Sequence, residues 1–227
     1  MPHCPLIVSH RAIAGMQQDQ RDALMRDLRI AGVAAPVDAG AVVTGPSIIQ
    51  LDADVAAPSP SRPTDDEWPQ PLAARGVMVE LSLCSTGQHD RPSSSRADPR
   101  AGRVIRAVSD RARAGGGRLA LRPRAGCWMQ RIEDAVRLAM RVNRPDVGVC
   151  FDLGAWRTTD GRELAMRLQL AGPRLWHVVI DDNADDLRPL TAALDRLGYA
   201  GTVGLDADTP EQLRKTVAAW RQAVSRS

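Results

Sequence analysis

Short apolar segments alternate with segments of helical periodicity throughout the second half of the sequence. The clearest apolar segments are VGVCFDL at residues 147–153, LWHVVIDD at 175–182 and TVGLDA at 202–207. Parallel strands need a connection long enough to hold a helix, so this alternation predicts βα units with parallel strands. The apolar runs are nearly continuous, as expected for strands that helices cover on both faces. The pattern predicts an α/β fold, either a barrel or an open doubly wound sheet.

The first third of the sequence follows this alternation less clearly. PLIVS at residues 5–9 predicts a strand, QDQRDALMRDLRIAG a helix that ends at Gly32, and residues 33–55 one or two short strands. The segment APSPSRPTDDEWPQP is rich in proline, serine and acidic residues, which predicts a loop. We count about seven strands in the chain, one fewer than a full eight. We expect one domain over residues 1–227. Of the two α/β folds, we expect a (β/α) TIM-type barrel with a shortened or irregular N-terminal third, and the family resemblance described below favours it.

Acidic residues close two of the apolar segments. Asp152 and Asp206 each end a predicted strand that follows a helix, and the C-terminal ends of barrel strands carry the chemistry in this fold. The alternative is that each caps the loop that follows or pairs with an arginine. Glu80 lies inside the apolar segment VMVELSL, where a buried carboxylate needs a partner or a function. These three residues are candidate ligands or bases.

Composition argues against several classes of protein. The 30 basic and 27 acidic residues leave a net charge of +3, too small for a nucleic-acid track or a polybasic membrane patch. Lys215 is the sole lysine, so Schiff-base chemistry would depend on that residue. The four cysteines contain no CxxC pair, which predicts unpaired thiols. No segment approaches the roughly 18 apolar residues of a membrane span, and no signal segment is evident, so we expect a soluble cytoplasmic protein.

The segment NRPDVGVCFDLGAW at residues 143–156 resembles the xylose isomerase-like TIM barrels. This superfamily contains sugar phosphate isomerases and epimerases and endonuclease IV-type repair enzymes. The resemblance begins near Leu119 and continues through LWHVVIDDNADD to LDRLGYAGTVGLDADTPEQLRKTVAAWR, so it covers roughly the C-terminal half. Within it, GYAGTVGLD is similar to the final strand of the family.

The resemblance implies a divalent metal, Mg, Mn, Zn or Co, held by carboxylates and histidines at the ends of the late strands. Such a metal would polarise a sugar carbonyl and stabilise an enediolate while a carboxylate moves the proton. Asp152 falls on the acidic strand-end position of the family, and Asp206 falls where relatives offer glutamate or glutamine. Both are therefore predicted metal ligands. Asp182, in an acidic run after a strand, is a third, although such runs are often solvated loops.

Other positions depart from the family pattern. Arg122 and Arg124 stand where relatives carry a glutamate or a proline-histidine pair, and a cation there would repel a metal. Ala155 replaces a histidine that commonly follows the acidic residue. The usual histidine of the next strand falls at residue 178 or 179, one or two positions after His177. A shift of two would keep this side chain on the inner face of the strand, and a shift of one would reverse it.

The first functional hypothesis is a metal-dependent isomerase or epimerase of a sugar or sugar phosphate. Its catalytic residues would be Glu80 and His177, although a histidine in an apolar strand is often a hydrogen-bonded core residue. Arg122, Arg124 and Trp156 would bind the substrate; the arginines could equally pair with an internal carboxylate such as Asp152. The alternative is a degenerate barrel that binds a sugar, a phosphosugar or a protein partner without turnover. Nucleic acid is not an expected partner, since the chain has only four histidines for a repair-type metal cluster; a homo-oligomer is left open.

Overall fold

Parallel strands form a closed barrel in the computed structural model, which describes residues 4–36, 47–56, 77–87, 91–181 and 186–225. Within these residues, eight strands pair in chain order, and the last pairs with the first. The strands are β1 (Leu6–Ser9), β2 (Gly32–Pro36), β3 (Ser47–Asp54), β4 (Met78–Cys84), β5 (Arg118–Leu121), β6 (Val147–Asp152), β7 (Leu175–Asp181) and β8 (Thr202–Asp206). The predicted TIM barrel is confirmed.

The count of about seven strands was wrong, and the strand pairing shows why. β2 has the sequence GVAAP, whose small residues and proline lack the β-branched character that marks a strand in a sequence. Its backbone nevertheless pairs with β1 and with β3. The helix before it ends at Asp27 and not at Gly32, because Gly32 already belongs to β2. Pairing with neighbours defines this strand more than its own composition does.

Helices cover the outside of the barrel. They are α1 (Gln18–Asp27), α2 (Asp98–Ala114), α3 (Ile132–Val142), α4 (Leu153–Thr159), α5 (Leu164–Ala171), α6 (Arg188–Arg196) and α7 (Pro210–Ser225). The short α4 was not predicted, and Asp152 initiates it by accepting a hydrogen bond from the backbone N–H of Ala155 at 2.8 Å. Among the described residues, no helix has the length and apolar character to cross a bilayer. The predicted loop at residues 57–71 lies outside the described part of the chain.

Buried apolar side chains form a cluster inside the barrel, and the partly buried Trp176 packs against it. Its members are Ile7, Ala34, Ile48, Met78, Ala120, Cys150 and Val179. Toward the C-terminal ends of the strands, inward side chains such as Glu80, Arg122 and Asp206 are charged. The C-terminal ends of the strands are where this fold places its chemistry.

Cys84 and Cys127 form a disulfide, which corrects the expectation of four unpaired thiols. Cys84 ends β4, and Cys127 lies in the loop between β5 and α3. The two cysteines are 43 residues apart in the sequence, so their spacing carried no recognisable motif. The bond ties this loop to the C-terminal end of β4. Cys4 and Cys150 remain free thiols.

Removing this disulfide is expected to destabilise the protein. A crosslink that closes a loop of 43 residues restricts the unfolded chain, which corresponds to about 4 kcal/mol in the chain-entropy treatment and typically 2–4 kcal/mol in practice. Urea unfolding of the Cys84→Ala, Cys127→Ala double variant should therefore show a lower midpoint than the parent. Cys4→Ala serves as the control, since it removes a thiol without a crosslink. A parent protein whose urea midpoint is unchanged by reductant would contradict this expectation.

Candidate functional site

A cavity of about 500 Å³ opens at the C-terminal ends of the strands. Its wall contains three arginines and three carboxylates, together with polar and apolar side chains from β2, β3 and β4. The lining residues are Arg11, Pro36, Gln50, Leu51, Asp52, Glu80, Ser82, Arg122, Arg124 and Asp206. The cavity has the size of a small-molecule site, and it lies where this fold places its chemistry.

The Arg122 side chain lies at the floor of this cavity, surrounded by carboxylates. Its Nε and Nη2 groups donate to Asp152 Oδ2 at 3.0 and 2.8 Å. Its Nη1 donates to Glu80 Oε2 at 3.1 Å, and Nη2 lies 3.5 Å from Asp206 Oδ2. One cation therefore joins carboxylates from β4, β6 and β8. The pairing with Asp152 that the sequence left as an alternative is present.

The charges at the floor stabilise one another. Burial by itself would raise the pKa of Glu80, which is 1% exposed, but the charge of Arg122 and a hydrogen bond from Gln50 bring that pKa below its ordinary value. Burial would lower the pKa of Arg122, yet Glu80 and Asp152 hold it well above the ordinary arginine value. Glu80 and Arg122 are therefore ionised at neutral pH, as a buried ion pair requires.

His177 lies in the layer below Arg122. Its Nδ1 is 2.6 Å from Thr202 Oγ1, and its Nε2 is 3.3 Å from Glu80 Oε1. Gly204 leaves space for the imidazole ring, since a Cβ at that position would lie 2.5 Å from Nε2. Burial lowers the pKa of His177 despite the nearby Glu80, so the ring is neutral at pH 7. His177 does point inward, in contact with one of the predicted acids.

The donor atoms of Glu80, Cys150 and His177 lie within 4.8 Å of one another, a grouping that could hold a metal ion. The chemistry of these donors opposes it. Burial and the charge of Glu80 raise the pKa of the Cys150 thiol well above its ordinary value, whereas a metal binds the thiolate. Arg122 also donates to the same Glu80 carboxylate. A metal here would have to displace a proton and tolerate a neighbouring cation.

The metal ligands implied by the family resemblance face a guanidinium. Asp152 Oδ2 accepts two hydrogen bonds from Arg122, and Asp152 Oδ1 caps α4. Asp206 binds Arg11 and lies next to Arg122. Asp182, the third predicted ligand, lies outside the described residues. With Arg122 in place, the carboxylates at the strand ends do not fit a divalent metal.

Two further arginines, Arg124 and Arg11, form ion pairs near the opening of the cavity. Nη1 of Arg124 donates to both carboxylate oxygens of Asp52, at 2.9 and 2.7 Å. Nη2 of Arg11 donates to Asp206 Oδ1 at 2.5 Å, and its Nε lies 3.2 Å from Asp208. Sequence reasoning identified Arg124 but missed Arg11 and Asp52. Asp52 follows the inward-facing Gln50 by two residues in β3. Because side chains two residues apart in a strand share a face, this spacing could have identified Asp52.

Trp156, predicted to bind substrate, is not among the described residues that line the cavity. It lies on α4, where its indole N–H donates to the carbonyl of Arg162 at 3.1 Å. Its ring centroid is 6.1 Å from that of Phe151. These contacts anchor α4 against β6. The structure brings Glu80, Arg122, Asp152, His177 and Asp206 together, and it places Trp156 apart from them.

A closed barrel of eight parallel strands with charged side chains at its C-terminal end places the protein among the TIM barrels. The chain belongs to the xylose isomerase-like TIM barrel family, whose model matches residues 74–224. No curated protein matches the chain in sequence.

Solved structures share this fold over nearly the whole chain. An AP endonuclease of family 2 from Brucella melitensis is 17% identical, with a TM-score of 0.69 over 96% of this chain and 98% of its own. The 3-keto-D-glucoside 4-epimerase of E. coli is 15% identical, with a TM-score of 0.69 over 96% and 99%. D-psicose 3-epimerase from Clostridium cellulolyticum H10, solved with D-tagatose, is 13% identical, with a TM-score of 0.71 over 96% and 98%. At these identities the likeness shows the fold alone.

Proposed function

We propose that this protein binds a neutral sugar or polyol in the cavity at the C-terminal ends of its strands. The observation that carries the proposal is the pairing of opposite charges around the opening, Arg124 with Asp52 and Arg11 with Asp206. A sugar hydroxyl both donates and accepts hydrogen bonds, so adjacent hydroxyls can engage a carboxylate and a guanidinium together. Membership of a family with sugar epimerases supports the same class of ligand.

The same pairing disfavours a sugar phosphate. Each of the two outer arginines already has a carboxylate as its partner. A phosphate would have to displace Asp52 or Asp206 and would then remain close to the displaced negative charge. A neutral ligand needs no such exchange. We therefore expect selection by charge, with the neutral sugar preferred.

The preference can be measured by calorimetric titration in the presence of a chelator. D-tagatose or D-fructose is expected to bind at least about tenfold more tightly than D-fructose 6-phosphate, a difference of about 1.4 kcal/mol. Asp52→Asn should weaken this preference because it frees Arg124 for an anion. Asp110→Asn removes a charge on α2, far from the cavity, and should change neither affinity. Tighter binding of the phosphate by the parent protein would contradict the proposal.

A second candidate function is metal-dependent isomerisation, and the grouping of Glu80, Cys150 and His177 favours it. The reaction needs a polarised carbonyl and a carboxylate base. Glu80 is a weak base for this purpose, because its pKa is lowered and Arg122 and Gln50 donate to it. Incorporation of deuterium from D₂O into D-tagatose in the presence of added Zn²⁺ or Mn²⁺, measured by NMR, distinguishes the two functions. Metal-dependent exchange would favour turnover over binding alone.

A further inference from the structure

Three carboxylates from different strands converge on one point, and a side chain of this protein supplies the positive charge there. Glu80 of β4, Asp152 of β6 and Asp206 of β8 lie 3.1, 2.8 and 3.5 Å from guanidinium nitrogens of Arg122. We infer that Arg122 is a built-in cation that replaces a divalent metal at this point. The inference does not depend on which ligand the cavity binds.

The burial of these groups makes a cation necessary. The side chains of Glu80, Arg122 and Asp152 are only 1%, 10% and 12% exposed. Like charges this close and this poorly solvated repel one another strongly unless a positive charge lies between them. Arg122 meets that need through directed hydrogen bonds, which a guanidinium forms with more than one carboxylate at once. A second cation at the same point would be repelled.

Arg122 also faces the cavity. A guanidinium has five N–H groups, and the contact with Glu80 uses one of the two on Nη1. Because Arg122 borders the cavity, its guanidinium can donate to an oxygen of a bound ligand. The residue thus holds the carboxylates in place and presents a positive charge to the ligand. These are the structural tasks of a metal, performed by a side chain that a chelator cannot remove.

Metal binding should appear when Arg122 is exchanged for an acid. The parent protein should retain no Mn²⁺ or Co²⁺ after desalting, and its melting temperature should not respond to either ion. Arg122→Glu should retain about one ion per chain. At an Mn²⁺ concentration about a hundredfold above its Kd, this variant should melt about 5–10 °C higher than in chelator. Arg124→Glu makes the same charge change at the cavity opening and should gain no ion.

All three measurements are made without any sugar. They are the metal content by mass spectrometry, the electron paramagnetic resonance signal of Mn²⁺ and the melting temperature. A failure of sugar binding therefore leaves this inference intact, and the reverse also holds. If Arg122→Glu does not fold even with Mn²⁺, Arg122→Ala provides the second test, since it leaves three carboxylates and room for a hydrated ion. Stoichiometric Mn²⁺ on the parent protein would overturn the inference. So would the absence of metal-dependent stabilisation in both variants.

Discussion

Arg122→Met is expected to reduce the free energy of unfolding at pH 7 by about 3–5 kcal/mol, the typical cost of removing one partner of a buried ion pair. Methionine fills much of the same space but leaves Glu80 and Asp152 without their counter-charge. Urea unfolding followed by circular dichroism measures the loss. Arg124→Met is the matched control. Its pair with Asp52 is about half exposed on both sides, so we expect a loss below about 1 kcal/mol.

The pH dependence of this loss identifies its cause. In the parent, the folded-state pKa of Glu80 lies below its ordinary value, so its contribution to stability is present above that value and is lost as the pH falls through the folded pKa. In Arg122→Met, burial dominates and raises the folded pKa, so stability is lost as the pH rises. The difference between variant and parent should therefore be largest at pH 7–8 and shrink toward about pH 4–5. A loss that is constant with pH would indicate packing as the cause.

Gly148→Ala is expected to cause the second large loss of stability. A Cβ at Gly148 would lie 2.3 Å from an atom of the Trp176 ring, with two further ring atoms within 2.6 Å. The indole packs against the buried apolar cluster inside the barrel, so a shift away from the new methyl group would reduce that packing. We expect a loss near the upper end of the roughly 1–3 kcal/mol typical of overpacking, measured as a shift in the urea midpoint.

Gly102→Ala is the control for this substitution. Its added methyl group would meet only the end of the flexible Arg106 side chain, at 3.4 Å. In a helix interior, alanine is more favourable than glycine by about 0.5–1 kcal/mol. This variant should be as stable as the parent or more stable. Trp176→Leu combined with Gly148→Ala should recover part of the loss, because the smaller side chain makes room for the methyl group. Equal effects of the two glycine substitutions would contradict the packing explanation.

Much of the fold could be predicted because its signals are local. Apolar runs such as VGVCF and HVVI each mark one strand, and the intervening segments are long enough for a helix. β2 was harder, since its GVAAP sequence becomes a strand through its pairing with both neighbours. The candidate site was likewise predictable only in part. Asp152 and Asp206 were visible as strand ends, whereas Arg11, whose contact with Asp206 spans 195 residues, was not.

The sequence by itself determined that this chain forms βα units with parallel strands and acids at the strand ends, because periodicity and connection length act over a few residues. Only the tertiary structure decided what those acids do. Arg122 meets Glu80 and Asp152 across 42 and 30 residues, and these groups become neighbours when the barrel closes. Their exclusion from water then makes the guanidinium their common partner. A position that family resemblance assigns to a metal is thus filled by a side chain of the protein.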